Sequence, residues 1–127
     1  QHLRQPQGAG WTFRLALEVM AALQGVRQAA ERGLSMTALA EQLRVQPREL
    51  EPVLQCLQGL DWVGQLREEG GTPDARRVLL IDPAQTSVAP LVDRLLVWRA
   101  SAQDPLWTAA RLDALRVAEV LPRLDLA

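Results

Sequence analysis

Between residues 34 and 81 the spacing of apolar side chains changes period, and that change limits the folds open to the chain more than any other feature. Ser35 stands where an N-cap belongs, and Leu39, Ala40 and Leu43 follow at the intervals of a short amphipathic helix. Arg44 and Val45 make a turn. Gln46 and Pro47 then open a longer helix in which Leu50, Val53, Leu54, Leu57 and Leu60 keep three- and four-residue spacing. Past Gly59 the pattern shortens to two strand-like runs, residues 62–66 and 77–81, around the polar segment REEGGTPDAR. Helix, turn, helix and hairpin in that order predict a winged helix-turn-helix, mostly α with a small β-hairpin and further C-terminal helices. Pro52 removes an interior hydrogen bond and predicts a loosened or kinked first turn. Residues 78–81 are apolar without interruption, which predicts a strand covered on both sides.

The flanks extend this frame. Residues 1–10 hold three Gln, a Pro and two Gly without periodicity and read as a linker or frayed end. From Trp11 a first helix carries Ala16, Val19, Met20, Leu23, Val26 and Ala30 on one face, with Arg27 and Arg32 towards its C-terminal end and Gly33 as its stop. After Asp82-Pro83, Thr86 or Ser87 caps a further helix with the stripe Val88, Leu91, Val92, Leu95 and Leu96. Asp104 and Pro105 start a tail helix whose predicted apolar face is Leu106, Trp107, Ala110, Ala114, Val117, Ala118 and Leu121. The predicted organisation is a linker at 1–10, a winged-helix domain at 11–98 and a helical extension at 99–127.

At 127 residues the chain supports a single core that buries roughly two thirds of its unfolded surface. Its formal net charge is -1, so no overall excess of positive charge draws it to a polyanion. A DNA-reading version of the fold would aim Arg48, Gln55 and Gln58 at base edges and clamp phosphates with Arg67, Arg76 and Arg77. Glu49 and Glu51 stand among the first set, and Asp61, Glu68, Glu69 and Asp74 among the second. Such a surface repels about as many phosphates as it attracts, so nucleic acid is disfavoured and a protein partner or self-association is expected. The tryptophans Trp98 and Trp107, flanking a break in the helical pattern, join Leu112 and Leu115 as a candidate contact surface.

Catalysis lacks its parts. The one histidine, His2, falls in the N-terminal segment, so neither a histidine base nor an ordinary zinc site can be assembled. Asp61, Asp74, Asp82 and Asp93 occupy turns, strand ends and exposed helix positions where Asp is common, and no metal or cofactor is expected. The one cysteine, Cys56, permits no internal disulfide, has no cationic neighbour in sequence and reads as a small buried hydrophobe. No run of about 18 apolar residues and no signal-peptide pattern occur, which fits a soluble domain in a reducing compartment. A first residue that is Gln rather than Met suggests a piece of something longer.

The run LSMTALAEQLRVQPRELEPVLQCLQGLDWV, a short hairpin, the strand RRVLLIDP and then TSVAPLVDRLLV together resemble the C-terminal cytoplasmic extension of BrkB/YihY-type bacterial inner-membrane proteins. The resemblance covers about residues 11–98. It implies an upstream membrane portion of six helices and a domain on the cytoplasmic face of the inner membrane. That family also carries an old ribonuclease BN label, and the tRNA-processing activity it implies is disfavoured by the residues here. The same order of elements, with a Gly-Gly pair in the wing, is similar to redox-sensing winged-helix repressors that hold an iron-sulfur cluster. Those use three closely spaced cysteines, and Cys56 alone cannot supply them.

Overall fold

The computed structural model of the protein describes residues 2–67 and 74–124. Its elements are α1 (Trp11–Gly25), α2 (Met36–Leu43), α3 (Pro47–Gly59), β1 (Val63–Gln65), β2 (Arg77–Leu79), α4 (Ala89–Leu95), α5 (Pro105–Ala110), a 3-10 turn (Leu112–Ala114) and α6 (Val117–Val120). Ser35 caps α2 as predicted, its Oγ accepting from the Ala38 N–H at 3.1 Å. Arg44 ends α2 in the left-handed region at φ 57, and Pro47 lies in the first turn of α3. Pro52 sits inside α3 on its exposed side, and the helix continues through it.

The hairpin is antiparallel, with Val63 opposite Leu79, Gly64 opposite Val78 and Gln65 opposite Arg77. A third backbone joins it. Leu34 and Arg77 exchange both main-chain hydrogen bonds, at 3.0 and 2.8 Å, which ties the wing to the start of α2. Gly33 makes that approach possible. It sits at φ +80, and a Cβ there would overlap the Arg77 carbonyl oxygen.

Helix α1 forms the middle of the core. Leu15, Ala16, Val19, Met20 and Leu23 pack with Leu39 and Leu43 of α2, Leu50, Val53, Leu54 and Leu57 of α3, Leu79 of β2, and Leu91 and Val92 of α4. The wing and α3 are thus held by one shared apolar cluster. Among the described residues no helix is long and apolar enough to cross a membrane.

Three expectations need correction. Helix α1 stops at Gly25, well before Gly33, because the next turn is recruited elsewhere: Arg27 donates to the Ile81 carbonyl at 2.8 Å across the end of the hairpin. The second strand is covered on one side only. Leu80 is 53% exposed and Val78 half-buried, whereas Arg77 and Leu79 on the other side are buried. The tail, finally, is not one helix. Asp104 caps α5 as predicted, yet Arg111 at φ 54 ends it, and residues 115–116 run extended before α6.

The tail breaks because its backbone is needed for pairing. Val88 N–H donates to Leu115 O and Val117 N–H to Thr86 O, each at 2.8 Å, and Ser87 bridges Arg116. A continuous helix would consume those groups internally. Trp107 and Val117 therefore enter the main core, whereas Leu106 of the predicted apolar face is 52% exposed and Ala110, Ala114 and Ala118 face solvent. Neither proposed residue is the N-cap of α4, which is Val88: Ser87, one position earlier, accepts on Oγ from Ala89 N–H at 3.2 Å, and the Thr86 hydroxyl donates to Asp82 O.

Candidate nucleic-acid interface

Two parts of a winged helix usually meet phosphate: the N-terminus of the first helix of the motif, through its free N–H groups, and the wing. Base edges meet the outer strip of the second helix. In this chain that strip is Arg48, Glu51, Pro52 and Gln55, all exposed and separated by helical intervals. Arg48 therefore shares its face with Glu51. Gln58, one turn further on, is only half-exposed.

The N-terminus of α2 is already occupied. Asp74, from the return side of the wing, accepts from the Thr37 N–H at 3.1 Å, while Ser35 takes the Ala38 N–H. A carboxylate thus stands where a DNA phosphate would bind. The wing arginines divide in the same sense. Arg77 is only 7% exposed, with Nη1 donating to the Ala75 carbonyl at 2.8 Å, so it cannot clamp phosphate. Its alternation with Val78 and Leu79 along β2 puts it on the core face, a placement composition could not show. Arg76 is half-buried and donates to the Arg32 carbonyl at 2.9 Å, leaving Arg67 as the exposed member of the three. Glu68 and Glu69, expected beside them, lie outside the described residues.

The second predicted surface also changes. Trp107 is 1% exposed and belongs to the core, with Arg99 stacked on its ring at 4.9 Å from the centroid. Leu112 and Leu115 are half-buried against the same core. Only Trp98, at 76% exposure, remains fully open to a partner. Arg99 is held by both oxygens of Asp113, at 2.7 and 2.9 Å, and those hydrogen bonds raise its pKa further.

Two groupings are assembled by tertiary packing, and of their contacts only the Arg14–Glu18 pair, four residues apart on α1, is legible in the sequence. Arg94 of α4 comes beside Cys56, supplying the cationic neighbour absent along the chain. Burial nevertheless pushes the Cys56 thiol up, and the hydrogen bond and charge of Arg94 offset only part of that rise. Burial thus favours the protonated thiol over the thiolate. The other grouping is Glu18, only 6% exposed, with Arg4 donating to both its carboxylate oxygens and Arg14 to one at 3.3 Å. Burial raises its pKa, but the arginines outweigh burial and the net shift is downward. Among the described residues no three His, Cys, Asp or Glu side chains converge as a metal site would require.

A winged helix whose phosphate-facing groups are satisfied internally can be compared with known chains. It is 48% identical over 119 residues to a protein of Verminephrobacter eiseniae, a match over 91% of this chain and 28% of that one. With an Albidiferax ferrireducens protein it shares 46% identity over 112 residues, covering 88% of this chain and 27% of that one. Its homologues are UPF0761 membrane proteins. A further UPF0761 membrane protein, from Delftia acidovorans, is 39% identical over 124 residues and is spanned to 30% of its length. No family model matches the chain.

Solved structures share the fold at low identity. Staphylococcus aureus CymR superposes with a TM-score of 0.61 at 19% identity, over 90% of this chain and 98% of that one. A putative transcriptional regulator from Listeria innocua gives a TM-score of 0.64 at 20% identity, over 93% and 88% of the two chains.

Proposed function

We propose that this chain is a non-catalytic interaction domain of a BrkB/YihY-type membrane protein, placed on its cytoplasmic side and working through protein contacts or self-association. The observation that carries this reading is the Asp74 carboxylate on the Thr37 N–H, which fills the anion position of α2 from within the molecule. Burial of Arg77 and the presence of Glu51 on the same exposed face as Arg48 act in the same direction. Homology to UPF0761 membrane proteins supports the membrane placement. Exposed Trp98 offers a partner a large apolar side chain.

Titration with mixed-sequence duplex DNA at low salt tests it, because electrostatic binding is strongest there. No affinity tighter than about 100 µM is expected. Micromolar binding that collapses with added salt would overturn the reading.

The second reading is a DNA-binding regulator, favoured by the fold match to a putative transcriptional regulator and by the exposure of Arg48 and Gln55. It requires a two-fold dimer and duplex binding that Arg48→Ala weakens. The ribonuclease label is disfavoured; RNA turnover dependent on magnesium or manganese would revive it.

A further inference from the structure

At the end of α2 away from the wing, the chain gathers positive charge that its overall balance conceals. Arg4, Arg44 and Arg123 line a cleft of about 140 Å³ together with Glu18, Gln42 and Leu43. Arg14 holds the same Glu18 carboxylate from α1. Two guanidinium groups, Arg4 and Arg14, thus hold the one carboxylate, and Arg44 and Arg123 add two more cations to the cleft wall, in a chain whose formal net charge is -1. Among the described residues no second acid lines the cleft.

The groups have separate duties. Glu18 is a strut: it is buried and holds Arg4 through both oxygens. Arg4 is fixed further by its Nε–H on the Leu43 carbonyl at 2.9 Å and by the Trp11 ring at 5.4 Å from the ring centroid. Its main-chain N–H also bonds Arg44 O at 2.7 Å, which joins the N-terminal segment to the turn after α2. Three of the five guanidinium N–H groups of Arg4 are used inward, so one remains on each terminal nitrogen. Arg44 and Arg123 are exposed, and neither makes a side-chain hydrogen bond or ion pair among the described residues. Arg44 is moreover held in the left-handed region, where glycine or asparagine would fit at less cost.

We propose that this cleft binds a phosphate group, either a soluble phosphate ester or the headgroup of an anionic lipid. At about 140 Å³ and open to solvent, the cleft has room for a tetrahedral oxyanion. Arg44 and Arg123 supply forked donors at the mouth, Gln42 an amide, and Arg4 a preoriented donor beside them. The site lies apart from the wing. Helix α2 has eight residues, about 12 Å of rise, and the wing meets its other end through Asp74.

The test uses the full chain and inorganic phosphate, read by calorimetry and by NMR of the arginine Nε–H signals. Saturable one-site binding is expected, weakened about tenfold or more when Arg44→Gln and Arg123→Gln are combined. A control that combines Arg48→Gln with Arg111→Gln makes the same charge change at exposed sites outside the cleft and keeps the binding. Vesicles of phosphatidylglycerol against phosphatidylcholine then separate the sources. Retention on phosphatidylglycerol alone, lost in the Arg44/Arg123 double variant, assigns the phosphate to lipid; phosphate binding without vesicle binding assigns it to a soluble ester. Absence of saturable phosphate binding, equal loss in the control, or a DNA duplex released by the Arg44/Arg123 changes overturns the proposal.

Discussion

Glu18 lies on a face of α1 that Leu15 and Ala22 also bury, and burial of an unpaired carboxylate there would be costly. Two arginines remove that cost. Replacing it as Glu18→Gln leaves Arg4 half-buried without its counter-charge, and urea unfolding at neutral pH should show a loss of about 2–3 kcal/mol. The direction of the shift sets the pH dependence. Because the native pKa is below the ordinary value of 4.5, the carboxylate's contribution is complete above that value and is lost as pH falls through the lowered native one. The gap between parent and Glu18→Gln should therefore close in acid, and a gap that persisted would disprove the ion-pair account. Gly33 is a second position where one atom decides. Gly33→Ala meets both the positive φ and the Arg77 carbonyl, so a loss of roughly 2 kcal/mol or more is expected in the same assay.

The tail shows how an element can be named correctly at its start and wrongly at its end. Asp104-Pro105 is a local signal and works locally. The path of the chain beyond α5 is decided instead by the backbone groups of residues 83–88, which take hydrogen bonds from, or give them to, residues 115–118. Trp107 is the side chain this arrangement buries. Trp107→Ala should cost about 3–5 kcal/mol and lower the melting temperature by on the order of 10 °C, while Trp98→Ala should leave both nearly unchanged. A melting temperature equally insensitive to both would mean that the tail is not part of the cooperative core. In α1, likewise, apolar spacing continued to Ala30, but Gly25 and the bond from Arg27 to Ile81 stop the helix earlier.

For the molecule as a whole, a net charge of -1 hides two opposite ends of α2. Towards the wing, Asp74 fills the anion position and Glu51 of α3 offsets Arg48; at the other end, arginines outnumber acids. If the winged-helix face avoids DNA because of those two acids, combining Asp74→Asn with Glu51→Gln should restore attraction. Removing two charges near phosphate is worth about 1–2 kcal/mol, or roughly tenfold in duplex affinity, with a steeper dependence on salt. Fluorescence anisotropy with a labelled duplex would measure it. An unchanged, salt-insensitive signal would show that something other than charge keeps the duplex away.

The order of elements from α1 to α4, the cap at Ser35, the first turn at Pro47 and the hairpin were legible in the sequence because each rests on local periodicity or on a residue's own backbone preference. So was the near balance of charge on the outer strip of α3, since helical spacing alone puts Arg48 and Glu51 on one face. Tertiary structure alone decided which arginines are accessible, because inward and outward positions on a three-residue strand depend on where the sheet meets the core, and Arg77 went inward. It also brought Arg4, Glu18, Arg44 and Arg123 together across the length of the chain, and Arg94 to Cys56. Those encounters arise from packing between distant segments, and no local pattern encodes them.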